Sequence, residues 1–566
     1  MDRRVVSAIV LMMAIAMLPA VVFKRPAKPT PGKDSVAVAP AAPSPTATTA
    51  ETASALSAAP DSALSVVRPE RVIPVTSSLF RYAVSTRGAG LVEASLLNFR
   101  SMHPGDAGAP AQIVPQGADL LNLRVVAAGD TISLRDWDFA PSADRLVAGS
   151  GPLTLTASRG AVSVEVQYHF SPDNYLISVT GRVNGLGPNG GTLLVGLGEG
   201  LRNTEVDSVE HYREAAIVTK GLSESEKHPI AGLTVGTATT YAGPFEWVGV
   251  KSKYFVTALF AVDTLGSGRS SGRISGVVAR PHEGTKNPVA ADIQASLALP
   301  AEGAFTYSLY AGPMEYPRLK AMGHDFYDVN PYGWPGFRTI IRPVAVAARW
   351  LLVKMHDLGL SYGLALILFG ILVRVALWPL NQKAMRASMQ MQVVQPLLKE
   401  IQERHKDDPQ RLQQEMFKLY KEYNVNPLGG CWPMLLPMPV LFALFFVFGN
   451  TIELRGASFF WISDLSRFDP LYIIPVVMGL SMYLVSKVGQ MGMEPNPQMK
   501  MMLYMMPVMM TVLFAKFAAG LNLYYTVQNL ASVPQQWLLA KERLKRNPAA
   551  PPPAPPAPVK SAGKKK

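Results

Sequence analysis

The sequence predicts a polytopic α-helical membrane protein with six transmembrane helices and a large antiparallel β-sandwich domain outside the membrane. Apolar residues concentrate in the first 23 positions and again after residue 357, while the stretch between them resembles a water-soluble domain. Within that stretch, apolar and polar residues alternate with the period of two that is typical of half-buried strands. Basic residues flank the apolar segments, as expected for signals that orient a membrane protein.

Residues 1–23 are predicted to form an N-terminal signal-anchor helix. An arginine pair precedes an apolar run that ends at Phe23, and this run is about long enough to span a bilayer. A cleaved signal peptide has a shorter apolar core, although Ala20 and its neighbours leave cleavage open. Residues 24–68 are rich in Ala, Pro, Ser and Thr, and they predict a disordered tether because they offer little apolar surface to bury.

Residues 69–318 are predicted to form the β-sandwich domain. Gly, Pro, Asn and Asp interrupt its apolar runs at short intervals, as expected for strands joined by tight turns. The clearest alternating runs are Val162–Tyr168, Tyr175–Thr180, Tyr254–Phe260 and Phe305–Tyr310.

The remainder of the chain is predicted to be helical. Residues 334–356 combine basic, aromatic and apolar residues at a spacing near 3.6, which predicts an amphipathic helix in the membrane interface. Residues 357–540 are predicted to hold five spans and a charged cytoplasmic hairpin at 381–425, whose second helix starts at Pro409. Residues 541–566 form a basic tail rich in Pro and Ala. The five apolar segments lie near residues 358–380, 430–449, 471–487, 499–516 and 518–537.

The distribution of basic residues predicts the orientation of the chain. Arg3 and Arg4 keep the N-terminus on the inner side, which places residues 24–357 outside. Counting six spans returns the charged hairpin and the basic tail to the inner side. Both termini are therefore predicted to be cytoplasmic.

Arg374 lies within the first of the five C-terminal apolar segments, and the predicted spans contain no acidic residue to neutralise it. A buried arginine is expensive in lipid. Two interpretations are open. The side chain snorkels to the headgroups, or it faces a water-containing cavity between helices.

The last apolar segment carries a polar stripe. Tyr525, Asn529, Ser532 and Gln536 recur at i, i+4, i+7 and i+11, so they share one face of a helix. Lipid offers such side chains no hydrogen bonds, so the stripe must face protein or water. Hydrogen bonding between helices would explain it, but together with Arg374 it favours a hydrophilic intramembrane cavity.

Composition excludes several other classes. The net charge of +13 comes without a zinc-knuckle spacing or an aromatic RNA-binding pattern, and it favours membrane orientation over nucleic-acid binding. The single cysteine, Cys431, excludes an intramolecular disulfide and a cysteine-based metal cluster. No nucleotide-binding motif is present. The sequence thus predicts a protein without metal or cofactor that is not an enzyme.

A series of ordered motifs carries a family resemblance: Val373-Arg374, Trp378-Pro379-Leu380, Gln395-Pro396, Gln413-Gln414-Glu415-Met416, Asn426-Pro427-Leu428-Gly429-Gly430-Cys431, Pro437-Met438-Pro439, Asp464-Leu465-Ser466, Asp469-Pro470 and Gly520-Leu521-Asn522-Leu523-Tyr524-Tyr525. With these motifs the chain resembles the YidC/Oxa/Alb family of membrane insertases, in its Gram-negative YidC form. The resemblance covers about residues 335–546, and more weakly the segment from Trp247 to Phe255.

The resemblance implies a five-helix insertase core around a hydrophilic groove that opens to the cytoplasm and sideways to lipid. Arg374 matches the arginine of that groove, and Tyr525 matches a tyrosine implicated in substrate contact. The expected contact residues are thus Arg374, Tyr525, Asn529, Ser532 and Gln536. A family threonine one turn before the arginine is Gly370 here, so that contact is not carried over.

The resemblance also implies a location in the bacterial inner membrane and a set of partners. Nascent membrane proteins would be the substrates, met alone or beside the Sec translocon (SecYEG and SecDF). The ribosome would meet the cytoplasmic hairpin and the basic tail, and the lipid bilayer would receive the inserted segments. The periplasmic domain would resemble a sugar-binding β-supersandwich without established catalysis.

Two rival functions remain open at the level of sequence. A transporter with Arg374 in an anion site would be expected to show paired repeats with broken helices, and no convincing repeat is visible. A carbohydrate enzyme would need paired carboxylates, for which Glu165, Glu205 and Asp207 are candidates.

Overall fold

The structure of the protein is a computed structural model. It describes the following residues: 69–261, 273–282, 288–333, 336–406, 408–423, 438–491 and 497–545. The predicted signal anchor, the tether, Cys431 and the tail beyond residue 545 lie outside the described residues.

The N-terminal part of the described chain is built from three sheets. The five-stranded sheet contains β1 (Val72–Thr76), β2 (Phe80–Ser85), β3 (Leu91–Arg100), β4 (Pro110–Gln112) and β8 (Leu146–Val147). The six-stranded sheet contains β5 (Leu123–Ala127), β6 (Asp130–Ser133), β12 (Gly191–Gly196), β15 (Thr239–Phe245), β18 (Ile274–Pro281) and β19 (Ala291–Leu299). The nine-stranded sheet contains β7 (Ala140–Pro141), β9 (Leu153–Arg159), β10 (Val162–Phe170), β11 (Leu176–Asn184), β13 (Ala216–Lys220), β14 (Ser225–Pro229), β16 (Trp247–Lys251), β17 (Phe255–Ala261) and β20 (Ala304–Pro313).

Strand order follows the chain only locally. The orders are β4-β3-β2-β1-β8, β15-β18-β19-β12-β5-β6 and β14-β13-β16-β17-β20-β11-β10-β9-β7. The named strand pairs are antiparallel except for β1 with β8, which is parallel. The prediction of a β-rich domain with antiparallel sheets is confirmed, and the four alternating runs form β10, β11, β17 and β20.

Alternation in the sequence becomes alternation in burial. Along β10, Val164, Val166 and Tyr168 are buried while Glu165 and His169 point outward, as a period of two requires. Strand β17 departs from this pattern because it is buried from Phe255 through Phe260. A strand that is buried on both faces has a continuous run of apolar residues in its sequence.

The helical part begins where the sheets end. One short helix, α1 (Ser208–Glu214), lies within the β-rich part. The helices that follow the sheets are α2 (Tyr316–Ala321), α3 (Arg338–Asp357), α4 (Tyr362–Arg404), α5 (Pro409–Glu422), α6 (Met438–Asn450), α7 (Ile473–Gly489), α8 (Pro497–Phe514) and α9 (Ala519–Lys545). Short 3-10 turns cover Ile230–Gly232, Phe326–Val329 and Ile452–Leu454.

Helix α4 is continuous from the apolar segment into the charged one. The sequence places the end of a span at residue 380, whereas the helix runs on to Arg404. At 1.5 Å per residue its 43 residues measure about 64 Å. Ser361 caps the N-terminus of α4, and Asp408 caps α5 after a short turn. Side chains of Val394, Leu398 and Leu419 pack the two helices together as a hairpin.

One described segment, Tyr362–Gln382 at the start of α4, is long and apolar enough to cross a membrane by length and composition. Helices α6, α7 and residues 499–514 of α8 are apolar but shorter. Helix α9 has the length, but its glutamine and asparagine side chains lower its hydropathy. The predicted number of six spans is therefore not established by helix length alone.

The β-rich part and the helical part are joined by a polar junction around Arg455, which follows α6. Its guanidinium donates to both carboxylate oxygens of Glu205 at 2.9 and 3.1 Å, and to the carbonyl oxygens of Arg100 and Thr204. The Arg455 side chain is 4% exposed and that of Glu205 is 11% exposed. The Tyr254 hydroxyl donates to Ser466 Oγ at 3.1 Å, which adds a second link.

A third link contains a buried lysine. Lys251 Nζ donates to Asn330 Oδ1 at 3.0 Å and lies 3.6 Å from the carboxylate of Glu214. Asn330 in turn donates to the carbonyl oxygen of Asn450, the last residue of α6, at 3.4 Å. Burial lowers the pKa of Lys251 to about 7, and the neighbouring ammonium group of Lys227 acts in the same direction.

Candidate functional site

The candidate site lies where α9 packs between α4 and α7. Gly370 permits the close approach of α4 and α9, since a Cβ atom there would stand 2.9 Å from Val527 Cγ1. The Gln528 side chain donates to the carbonyl oxygen of Gly370 at 2.8 Å. Phe369 and Tyr524 continue the contact, with their ring centroids 6.0 Å apart.

Arg374 lies one turn further along α4 and is bonded across this interface. Its Nη2 atom donates to Gln535 Oε1 at 2.6 Å, and Gln535 Nε2 donates to the carbonyl oxygen of Trp378 at 3.3 Å. Gln535 is buried and Arg374 is half-buried. Arg374 Nε is buried without a hydrogen-bond partner among the described residues. A guanidinium carries five N–H donors, so Gln535 uses a small part of its capacity.

The predicted polar stripe faces a different neighbour. Asn529 Nδ2 donates to Ser481 Oγ of α7 at 3.0 Å. Gln536 lies beside Gly489 at the end of α7, where an added Cβ would be 3.1 Å from Gln536 Oε1. Tyr525 packs edge-on against Phe514 of α8 at 5.4 Å. Ser532 is buried and donates to the carbonyl oxygen of Asn529 in its own helix at 2.6 Å.

Helix α9 therefore carries two polar faces. Arg374 of α4 contacts the face that contains Gln535, which the sequence analysis did not identify. Tyr524, Gln528 and Gln535 face α4, whereas the stripe that contains Asn529 and Gln536 faces α7 and α8. The structure thus does not join the predicted stripe and Arg374 through a direct hydrogen bond between described residues. The sequence does contain a signal for this second face. Tyr524, Gln528 and Gln535 recur at i, i+4 and i+11, which is the spacing of Tyr525, Asn529 and Gln536 shifted by one residue.

The candidate carboxylates of a carbohydrate enzyme have separate structural roles. Glu165 is exposed on β10 and accepts a hydrogen bond from Gln167. Glu205 is bound to Arg455 in the junction. Asp207 caps α1 by accepting hydrogen bonds from the backbone N–H groups of Val209 and Glu210. The structure does not assemble these acids into one site, and no group of three metal-ligating side chains occurs in the described residues.

The two aspartates of the family motifs hold the loop that follows α6. Asp469 is fully buried and accepts hydrogen bonds from Trp461 Nε1 and from the backbone N–H groups of Leu471 and Ile474. Asp464 Oδ1 accepts from the N–H and hydroxyl of Ser466. Asp469 satisfies backbone donors at the start of α7, and Asp464 satisfies donors within the preceding loop. These hydrogen bonds account for carboxylates beside an apolar segment.

Comparison with known proteins gives the same assignment for both parts of the chain. The family described as "60Kd inner membrane protein" matches residues 354–547, and the family described as "YidC periplasmic domain" matches residues 72–346. A membrane protein insertase YidC of Syntrophus aciditrophicus (strain SB) is 31% identical over 96% of this chain and 100% of its own length. The corresponding protein of Nitratidesulfovibrio vulgaris is 32% identical over 83% of this chain and 86% of its own.

A crystal structure of an active YidC insertase is also similar, with a TM-score of 0.34 and 18% identity over 83% of this chain and 93% of that one. The sequence matches define a class of protein: inner membrane proteins that insert other proteins into the bilayer. The chain belongs to the YidC family of membrane protein insertases, with its β-rich part in the position of the periplasmic domain. The family resemblance seen in the sequence motifs is confirmed, and the family is not a known enzyme family.

Proposed function

We propose that this insertase receives polar segments of nascent membrane proteins at Arg374 and the α4-facing side of α9. The observation that carries the proposal is the pairing of Arg374 with Gln535, a neutral partner. A carboxylate partner would neutralise the guanidinium, whereas an amide leaves its charge available. Arg374 then attracts a carboxylate or a backbone carbonyl of the substrate by charge-assisted hydrogen bonds.

The proposed mechanism lowers the energy needed to move a polar segment across hydrocarbon. A charged side chain at the bilayer centre is unfavourable by roughly 3 kcal/mol on insertion scales. A hydrophilic groove that includes Arg374, Gln528 and Gln535 would shorten the path that such a segment takes through lipid. Apolar parts of the substrate would leave sideways into the bilayer, where partitioning favours them.

The second polar face of α9 has a supporting role in this proposal. Asn529 is bonded to Ser481, and Ser532 is bonded within its own helix. Tyr525 and Gln536 line the same side next to α8 and α7. We infer that this face holds the helices together and becomes available to substrate when α7 moves away from α9.

The proposed topology has six spans with both termini in the cytoplasm. Helices α4, α6, α7, α8 and α9 supply five of them, and residues 1–23 supply the first. Arg3 and Arg4 before the first apolar run and the basic residues of the hairpin support this orientation, because Lys and Arg concentrate in cytoplasmic segments. We further propose that the Sec translocon and the ribosome are partners, the latter through the hairpin and the basic tail.

The proposal is tested by insertion of a small two-span, coat-type protein into liposomes that contain the purified chain, without nucleotide. We expect Arg374→Ala to lower the insertion rate by about tenfold, which corresponds to about 1.4 kcal/mol of lost interaction. Arg374→Lys retains the charge and should keep more activity. Arg159→Ala, at an exposed position of β9, is the charge-matched control.

Adjacent glutamines distinguish the two faces of α9. Gln535 bonds Arg374, while Gln536 lies beside Gly489 of α7. We expect Gln535→Leu to reduce insertion more than Gln536→Leu does. Equal insertion by the intact chain and Arg374→Ala would refute the role of the guanidinium, and a larger loss in Gln536→Leu would move the contact to the other face.

A further inference from the structure

A groove with polar and apolar side chains runs along the outer face of α3, the helix that precedes α4. It has a volume of about 920 Å³ and is lined by Tyr316, Arg338, Arg342, Val346, Ala347 and Trp350. Two guanidinium groups lie towards the N-terminal end of the helix, and aliphatic and indole groups follow two to three turns later. The groove thus changes from cationic to apolar along one helix.

The cationic end retains positive charge after its internal contacts are counted. Arg342 Nη1 lies 3.8 Å from Asp328, and its guanidinium lies over the ring of Tyr327 at 4.2 Å. Arg338 Nε is buried without a hydrogen-bond partner among the described residues. Asp325 also acts on Arg342, but it lies 3.3 Å from Lys220 Nζ. Two arginines and Lys220 therefore stand against two aspartates, which leaves a net charge of +1, and Arg338 keeps donors for a further acceptor.

The apolar end lies against the membrane-inserted helices. Ala345, Ala348 and Leu352 on the opposite side of α3 are buried in the same core as residues of α4 and α6. Trp350 is 59% exposed, and Ile340 and Phe337 are exposed to a similar degree. A helix that buries one apolar side in protein and exposes another apolar side next to membrane helices is suited to contact lipid.

We propose that this groove binds one phospholipid of the outer leaflet. Its phosphodiester would accept hydrogen bonds from Arg338 and Arg342, and an acyl chain would lie along Val346, Ala347 and Trp350. Guanidinium groups match the geometry of phosphate oxygens. Indole side chains are enriched at the level of the headgroups. The lipid would fix the depth of α3 in the interface and thereby the position of the periplasmic domain above the bilayer.

The experiment measures lipid retention by native mass spectrometry on the full-length chain in detergent, with palmitoyl-oleoyl phosphatidylglycerol as the probe. The double variant Arg338→Gln/Arg342→Gln should bind this lipid at least about tenfold more weakly, since it loses the charge-assisted hydrogen bonds from both guanidinium groups. The single variant Arg159→Gln should bind as the intact chain does. A diacylglycerol with the same acyl chains lacks the phosphate and should bind weakly to all three.

Two outcomes would overturn the proposal. Equal phosphatidylglycerol binding by the intact chain and the double variant would mean that the arginines do not hold the headgroup. Diacylglycerol binding as tight as that of phosphatidylglycerol would mean that the groove recognises acyl chains alone. Arg338→Lys/Arg342→Lys retains the two charges but loses the planar guanidinium geometry, so it should bind more tightly than the glutamine variant and more weakly than the intact chain, at an unchanged Tm. A loss as large as in the glutamine variant, at an unchanged Tm, would mean that the charges do not attract the headgroup and would also contradict the proposal.

Discussion

Replacement of Arg455 by alanine should weaken the junction between the β-rich part and the helical part. Arg455 is 4% exposed and is bonded to Glu205 and to two backbone carbonyl oxygens. The substitution leaves the Glu205 carboxylate buried without its cation, and such a loss destabilises proteins by about 3–5 kcal/mol. For a domain of this size, each kcal/mol lowers Tm by about 2–4 °C, so we expect a decrease of at least about 6 °C.

The assay is thermal unfolding of the full-length chain in detergent, followed by tryptophan fluorescence, with a double-mutant cycle. Much of the expected loss comes from the unpaired carboxylate, so Glu205→Gln in the Arg455→Ala background should recover part of it. The two substitutions should therefore be non-additive. Additive effects, or a Tm decrease below about 2 °C for Arg455→Ala, would refute the idea that a buried ion pair holds the junction.

Three further substitutions test other contacts. Gly370→Thr should lower the free energy of unfolding by about 1–3 kcal/mol, because the new side chain overlaps Val527. The additional change Val527→Ala should restore most of that free energy, as measured by thermal unfolding. An unchanged Tm for Gly370→Thr would contradict the close packing of α4 and α9. Burial lowers the pKa of His211 to about 4, so the unfolded chain binds more protons below about pH 6.5 and the stability of the β-rich part should fall between pH 6.5 and 4. The Tm of His211→Gln should depend less on pH over that range than the Tm of the intact chain. Parallel pH profiles of Tm for the two proteins would contradict the lowered pKa of His211. Gly303→Ala places a methyl group against the Val183 carbonyl at a positive φ, so a lower Tm is expected, and an unchanged Tm would argue against a strained turn.

The β-rich part could be predicted from sequence because its alternation follows from local geometry. Runs such as Val162–Tyr168 place every second side chain in the core, and the structure buries them accordingly. The order of strands could not be predicted in the same way. Pairs such as β11 with β20 join residues more than 120 positions apart, and their choice depends on packing between sheets, which is not a property of either segment.

The candidate site was predictable in part for a similar reason. A lone arginine in an apolar segment and a polar stripe on α9 are visible without coordinates. Which polar face meets Arg374 depends on the rotation of α9 about its axis. That rotation is fixed by contacts such as Gly370 with Val527 and Asn529 with Ser481. A rotation by one residue, about 100°, exchanges Gln535 for Gln536.

The continuous helix α4 connects the charged hairpin rigidly to the level of Arg374. About 45 Å of helix separates Arg374 from Arg404, at 1.5 Å per residue. If α4 tilts by about 10° around the level of Arg374, the far end of the hairpin moves by roughly 8 Å, because a straight rod magnifies rotation in proportion to its length. Force applied to the hairpin by an emerging polypeptide would thus act on the Arg374–Gln535 bond as torque, and a small rotation there would open one face of α9 without unfolding either helix.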